Sequence, residues 1–599
     1  MINHTRTLKP QALCLILLVL TLTVTFVPWL GDTLFNTKGE PREALVALSM
    51  VNTGDYILPA TYGTDIPYKP PLLAWLIAAC SWLTGGVVTE FSSRLPSVLA
   101  TFLMVICGYR FFLKRSGGDY VTSLATAIVT ITTVEVYRAA TACRVDMVLT
   151  ACTVTAIYAL ESASRLNSRR RIVNIPAILL MTCAVLTKGP VGMILPCLVT
   201  GIYLLIRGRR FWPTFGIMTL NGLLSLVIPA IWYYGAWLHG GERFLRLAME
   251  ENFGRFTGTM SYDSHLNPWW YNLVTLVAGM SPYTLLALMA LFVAPWRKLK
   301  GSFRGLWSRI RGLDDATLLS LTASTVIFIF YCIPASKRSV YLLPIYPFLS
   351  YFIVRLGQWL IAHRSRVVAI YALIIASLGE IVSWAVWGFH IVGPAGAEDH
   401  LKGALADMVD GLYNESFGIS DWALLITAIV VCGVTLAMTK RVSASKKAAG
   451  ALCSTLAIYW VLGATLLPRT LNPKSDIVIA REVERLDPGV SHTYTYNSVS
   501  MMRYFTAGFY LGDRLRMFAP EQGSSQSVDG AASQPLPESG YLIVGERELQ
   551  SWQELYGNDY TAETVWKGSR RSSDTRSVPL IMRFSRRHQS AAGVDSHDF

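Results

Sequence analysis

The sequence predicts a polytopic α-helical membrane protein with a small α/β domain after its last span. Three observations predict it. Of 599 residues, 52% are apolar and only 15% are charged, against roughly 25% charged in soluble domains. Many apolar runs approach or exceed the roughly 20 residues that a spanning helix needs. After Pro468 the composition turns polar and stays so to the end.

The first run, Leu13 to Leu30, is longer than a signal-peptide core and lacks a small-x-small cleavage site, so it reads as an uncleaved first span. Basic clusters then recur between apolar runs: Arg110, Lys114 and Arg115; Arg165 and Arg169 to Arg171; Arg207, Arg209 and Arg210; Arg297, Lys298, Lys300 and Arg304; Arg364 and Arg366; Lys440, Arg441, Lys446 and Lys447. Short basic loops mark the cytoplasmic side. If all of them face inward, an even number of spans separates each from the next. Between the N-terminus and Arg110 lie the runs 12–30, 71–86 and 95–112, so one of them does not cross. The short 71–86 run, which opens at Pro70-Pro71 and ends at Gly85-Gly86, is assigned to the outer interface.

Spans then fall near 12–30, 95–112, 120–137, 147–164, 172–187, 190–206, 213–234, 271–294, 316–333, 340–358, 367–390, 421–439 and 448–467. That makes about thirteen transmembrane helices, with the N-terminus inside and the C-terminus outside. The membrane domain is 1–467, with outer juxtamembrane helices at 38–88. The domain at 468–599 lies outside the membrane. Within it the patterning predicts helices over 477–486 and 546–556, strands at 494–496, 541–544 and 579–584, a loop at 521–538 and a disordered tail from about Arg586.

The formal net charge of +14 does not indicate nucleic acid, because much of it sits in the short loops. Ten cysteines lie within or beside apolar runs, none after Cys453, with no paired ligand spacing. They read as small apolar residues, not as a disulfide framework or a zinc ribbon. No cofactor is required on this reading, and a divalent metal has no ligand set in the sequence to support it.

The topology gathers polar residues on the outer face. Glu40 and Glu43, three apart, share one face of a helix; they are either a general base and an acceptor-positioning acid or the solvated face of an interfacial helix. Lys69 precedes Pro70, which holds its backbone extended; it is a phosphate clamp or a snorkelling lysine. Asp146 opens a span behind Arg144, as a functional carboxylate or as a local pair or cap. Lys188 lies in the turn Thr187-Lys188-Gly189-Pro190. Arg255 and His265 lie in the loop before the span at 271, among interfacial aromatics. Lys337 and Arg338 stand at an outer helix start, followed by Tyr341-Leu342-Leu343-Pro344, where a lipid phosphate would suit the helix end. A basic set on the outer side points to an anion at the membrane surface.

In order, Glu40-Pro41-Arg42, Gly54-Asp55-Tyr56-Ile57-x-Pro59, Lys69-Pro70, Arg94-Leu95-Pro96-Ser97, Asp146-Met147, Thr187-Lys188-Gly189-Pro190 and Lys337-Arg338-x-x-Tyr341-Leu342-Leu343-Pro344 resemble the GT-C-type glycosyltransferases that use polyprenyl-phosphate sugars. The nearest resemblance is to the lipid A aminoarabinose transferase branch, with protein O-mannosyltransferases more distant. The resemblance covers residues 30–350. It implies inverting transfer of a sugar from an undecaprenyl-type phosphate carrier to lipid A or another glycolipid, polysaccharide or protein acceptor. It places the chain in a bacterial inner membrane with its site on the periplasmic side. The lipid bilayer and the lipid-linked donor are its partners; nucleic acid is not. Carried over by position, Lys69 binds the carrier phosphate, Glu40 lies in the first acidic motif and Asp146 in the second, and Lys337 and Arg338 line the phosphate end of the lipid groove; Arg42, Lys188, Arg255, His265 and Tyr341 are further candidates for binding substrate, and Glu43 for the acid. The family's catalytic Asp falls at Gly39 here, and its Glu before Lys-Pro falls at Tyr68. The first change leaves Glu40 to take the acid role, unless the acceptor needs no base. The second weakens any carried-over metal site. The competing reading is a transporter or flippase of an anionic lipid-linked substrate.

Overall fold

Long apolar helices dominate the structure, a computed structural model that describes residues 10–166, 172–254, 266–294, 303–393, 404–497, 502–519 and 536–587. Contacts divide the chain into two compact units. The first comprises Met1–Thr33 and Tyr68–Pro473. The second comprises Leu34–Pro67 and Lys474–Phe599, so 34–67 groups with the C-terminal segment.

In the first unit eight helices among the described residues are long and apolar enough to cross a membrane: Glu90–Arg115, Val145–Ala163, Phe211–Met249, Asp315–Cys332, Ser339–His363, Ser365–Val392, Ile419–Met438 and Ala444–Lys474. Pro10–Phe26, Leu72–Thr84, Ile175–Lys188 and Val191–Ile206 are shorter apolar helices. The predicted spans at 12–30, 172–187 and 190–206 fall on three of these. The helix at Leu72–Ser81, with its 3-10 turn Trp82–Thr84, is well short of the ~30 Å hydrocarbon thickness at ~1.5 Å per residue.

Two predicted spans are not continuous. The 120–137 run is bent by 70° between Tyr120–Ile131 and Val134–Ala140, and the 271–294 run by 104° between Trp270–Gly279 and Tyr283–Val293. The causes are local. Thr132 and Thr133 donate their hydroxyls to the carbonyls of Ile128 (2.6 Å) and Thr130 (2.9 Å), and Thr133 is extended; threonine hydroxyls compete with the helix for its carbonyls. In the second run Pro282 has no N–H to continue the helix. The breaks face each other: the Val134 N–H donates to the Ser281 carbonyl at 3.0 Å. Farther along, Pro229 removes the N–H that would bond to Ser225, and the helix breaks between Ser225 and Val227.

The turn after Lys188 explains its own sequence. Gly189 has φ +80°, a conformation that suits glycine. A Cβ on Gly192 would meet the Ala184 carbonyl carbon at 2.5 Å. The helices Ile175–Lys188 and Val191–Ile206 thus close into a tight hairpin with Lys188 at its tip.

The second unit is built on a five-stranded sheet of order β2-β1-β3-β5-β4: β1 Thr493–Tyr496, β2 Arg516–Met517, β3 Ser539–Gly545, β4 Tyr560–Lys567 and β5 Pro579–Arg586. β1 is parallel to β2 and β3; β5 is antiparallel to β3 and β4. Tyr496, Phe518, Leu542, Val544, Trp552, Tyr560, Leu580, Met582 and Phe584 form its core. Helices lie at Ile477–Leu486, where the sequence placed one, at Phe505–Tyr510 and at Leu549–Tyr556. Most of the 521–538 loop, and the tail beyond Arg587, lie outside the described residues.

One buried acid gives this unit a pH dependence. Asp574 is 1% exposed and its Oδ2 accepts the Thr506 N–H at 2.8 Å. Burial pushes it up to about 7, against the pull of the Thr506 N–H; the nearby Asp476 carboxylate adds to the rise. The folded state therefore keeps a proton that the unfolded chain, with an Asp near 3.9, releases. Stability is highest below about pH 4 from this group and falls as pH rises toward 7, then levels. Asp574→Asn should flatten that slope and should raise stability at pH 8 by up to a few kcal/mol. Amide exchange of the 474–587 segment at pH 5 and pH 8 measures it; parallel profiles for parent and variant would contradict the assignment.

Candidate functional site

The site in the first unit begins with a buried ion pair. Asp146 lies in the first turn of Val145–Ala163, 6% exposed. Its Oδ1 accepts from the Lys188 Nζ at 2.6 Å. Lys188 also stands over the Tyr341 ring, 4.3 Å from its centroid, a cation–π arrangement. Tyr341 packs on Tyr331, with ring centroids 5.6 Å apart. The charges of Arg338 and Lys69 also act on Asp146. Asp146, Lys188 and Tyr341, scattered over the sequence, thus meet, and the charges of Lys69 and Arg338 reach the same carboxylate.

Each member is placed by local structure. The Arg94-Leu95-Pro96-Ser97 motif, inside Glu90–Arg115, is scaffolding. Arg94 is buried and donates to the carbonyls of Leu30 (3.0 Å) and Thr33 (2.6 Å). Ser97 donates to the Ala142 carbonyl at 2.6 Å and so fixes the turn that delivers Asp146. Arg338 is extended and precedes the 3-10 helix Ser339–Ile345, which carries Tyr341. The Tyr341 N–H returns to the Arg338 carbonyl at 3.0 Å.

Lys337 does not join the set. It is buried, and its ammonium donates to the carbonyl of Pro334 at 2.6 Å. Its own carbonyl accepts from the Asn267 side chain at 3.2 Å, which ties the segment after residue 265 to this turn. Arg255 and His265 lie outside the described residues. Tyr331 was missed in the sequence because it sits in the apolar helix Asp315–Cys332 with no polar neighbour in sequence to mark it.

Glu40, Arg42 and Glu43 belong to the second unit, at the start of helix Gly39–Thr53. An acid in the first turn suits the positive end of the helix. Glu40 is 8% exposed, and Arg42 pairs with Glu43 at 3.1 Å. Among the described residues no group of three His, Cys, Asp or Glu is placed to hold a metal ion.

With this geometry in view, comparison with known proteins is informative. The family model for dolichyl-phosphate-mannose-protein mannosyltransferase matches residues 68–234. An uncharacterized protein of Aquifex aeolicus is 30% identical over 319 residues, which cover 52% of this chain and 66% of that protein. The undecaprenyl phosphate-alpha-4-amino-4-deoxy-L-arabinose arabinosyl transferase of Erwinia tasmaniensis is 25% identical over 418 residues, 66% of this chain and 68% of that one. The Pseudomonas aeruginosa (strain UCBPP-PA14) protein of the same name is 28% identical over 273 residues, 45% and 48%. The chain thus spans about half to two thirds of the length of these curated relatives. In fold it is similar to the crystal structure of ArnT from Cupriavidus metallidurans bound to undecaprenyl phosphate, at TM-score 0.69 and 18% identity over 96% of this chain and 98% of that one. The apo structure of the same protein matches at TM-score 0.68. The family match falls on the stretch that carries Lys69, Asp146 and Lys188, and the fold match covers nearly all of the chain: the protein is a multi-pass membrane protein with the fold of ArnT, and over that stretch its sequence is similar to that of sugar transferases that use lipid-phosphate-linked donors.

Proposed function

We propose that the protein transfers a sugar from an undecaprenyl-type phosphate carrier to an acceptor on the periplasmic side of a bacterial inner membrane, with inversion at the anomeric carbon. The observation that carries this is the Lys188–Asp146 pair under Tyr341, with the charges of Lys69 and Arg338 acting on the same carboxylate. A departing lipid phosphate needs charge neutralised as the glycosidic bond breaks, and preorganised cations supply that. In this reading Lys69 and Arg338 meet the phosphate. Asp146 acts as the counter-ion that aims Lys188, and Tyr341 fixes the other side of that ammonium. The acceptor oxygen bonds to the anomeric carbon while the carrier phosphate leaves with the bonding electrons. A hydroxyl acceptor would give its proton to Glu40, held beside the Arg42–Glu43 pair; a phosphate acceptor, already an anion, would need no base. Lipid A, another glycolipid, a polysaccharide or a protein fit as acceptor.

The same reading sets the topology. Ten spans, with each bent pair taken as one, plus Pro10–Phe26, Ile175–Lys188 and Val191–Ile206 give about thirteen. The Leu72–Thr84 helix lies on the outer side with Gly39 and the 468–599 domain. A cysteine placed at Gly85 should react with an impermeant thiol reagent from the periplasm; labelling only from the cytoplasm would contradict this arrangement.

One observation favours a second reading. Two bent helix pairs meet at their breaks, a feature of transporters that bind substrate at half-helix ends. Here the Val134 N–H is taken by Ser281 and the Thr132 hydroxyl bonds to that of Tyr283. The break is satisfied by protein, which membranes tolerate without a transport path. Lipid analysis of a strain lacking the protein separates the two. Transfer predicts loss of the glycosylated acceptor and accumulation of sugar-loaded carrier on the periplasmic side. Unchanged acceptor glycosylation would overturn it.

A further inference from the structure

The helix that carries Glu40, Arg42 and Glu43 is strapped to the C-terminal segment at several points. Before the helix, the Phe35 N–H donates to the Tyr510 hydroxyl at 3.0 Å, and the Phe35 carbonyl accepts from Ser475 Oγ at 2.5 Å. At its end, Asn52 donates to the Gly512 carbonyl at 3.1 Å. Beyond it, Asp65 pairs with Arg503 at 2.8 Å.

The most constrained point is Tyr62. It is 1% exposed and has φ +53°, a backbone that bulky residues seldom adopt. Its ring packs edge-on against Phe505 and lies over the bare backbone of Gly508, where a Cβ would meet the Tyr62 hydroxyl at 2.7 Å. Its N–H donates to Asp513 Oδ1 at 3.2 Å. Asp513 is itself at φ +60°, and its own N–H is held by the Gly508 carbonyl at 2.9 Å. Two left-handed residues from segments some 450 positions apart thus lock on each other. On the helix side, Ser49 donates to the Ala60 carbonyl at 2.9 Å, which binds the strap back onto Gly39–Thr53. Backbone strain of this kind persists where surrounding structure over-determines it, and often serves function.

We propose that Asp513 is a positioning residue for sugar transfer: by accepting the Tyr62 N–H it latches the 54–67 strap and so holds the helix that presents Glu40, Arg42 and Glu43. The inference rests on the role assigned to Glu40 above. A latch acts on the acid and not on the carrier phosphate, so its loss should lower kcat and spare donor KM.

The test compares Asp513→Ala, which removes the acceptor, with Asp513→Asn, which keeps an oxygen for the Tyr62 N–H. Gly508→Ala, which pushes a Cβ at the Tyr62 hydroxyl, is an independent second route. Asp513→Ala and Gly508→Ala should lower kcat at least roughly tenfold with donor KM within about twofold, and Asp513→Asn should stay near the parent on both. Amide exchange over 39–67, read without substrate, should accelerate in Asp513→Ala and Gly508→Ala but not in Asp513→Asn. Parent-like turnover in Asp513→Ala, or an equal fall in the Asn and Ala variants, would overturn the latch, as would unchanged exchange in Asp513→Ala. A parent protein that transfers no sugar would overturn the functional reading alone, while exchange still reports on the latch.

Discussion

Replacing Lys188 with Met should leave the Asp146 carboxylate buried without its ion-pair partner. Breaking a buried pair by removing one member typically costs about 3–5 kcal/mol. The low end applies here, because Arg338 and Lys69 also act on Asp146. The sign can be isolated with a cycle. Asp146→Asn with Lys188→Met removes both charges and should recover most of the lost stability. Sugar transfer should not return in the double variant, since the cation over Tyr341 is still absent. Thermal unfolding in detergent and donor turnover measure the two effects separately. Parent-like melting of the single variant would show that the 2.6 Å contact carries no net stabilisation.

Lys69→Ala should lower transfer at least roughly tenfold. A charge-assisted contact to phosphate is worth on the order of 1.5–3 kcal/mol, and each ~1.4 kcal/mol is a decade in rate. The loss should exceed that if the contact tightens as the phosphate departs. Lys69→Arg should restore only part of it, because a planar fork replaces a point charge. Donor binding and kcat in both variants decide the matter. A Lys69→Ala protein that binds and turns over the lipid-linked sugar like the parent would reduce Lys69 to a membrane-edge lysine and shift the phosphate contact to Arg338.

Local signals were legible in the sequence and distant packing was not. The helix at Ile477–Leu486, the tight turn at Gly189-Pro190 and the helix start at Asp146 all follow from short-range periodicity, capping and turn chemistry. The bends at Thr132–Thr133 and before Pro282 escaped because an apolar window of spanning length reads as one helix whatever its interior does. The edge strand Tyr560–Lys567 escaped because most of its residues are exposed, which leaves little alternation to detect. Lys69, Lys188 and Arg338 were each visible as an outer-face cation, but only folding shows that they share Asp146. Lys337 looked like the twin of Arg338; its ammonium instead satisfies its own turn. The attachment of 34–67 to the C-terminal segment rests on pairs such as Tyr62 with Asp513, and nothing local in either segment announces the other.

The central claim is that carrier phosphate is the leaving group. Purified protein should be given a polyprenyl-phosphate sugar, labelled in the sugar, with and without a lipid A acceptor, and both lipid products quantified by mass spectrometry. The account predicts free polyprenyl phosphate and glycosylated acceptor appearing in equal amounts, and only when acceptor is present. A donor that remains intact while acceptors of each class, lipid A, polysaccharide and protein, are offered in turn would contradict it and leave the site as one that binds or moves an anionic lipid.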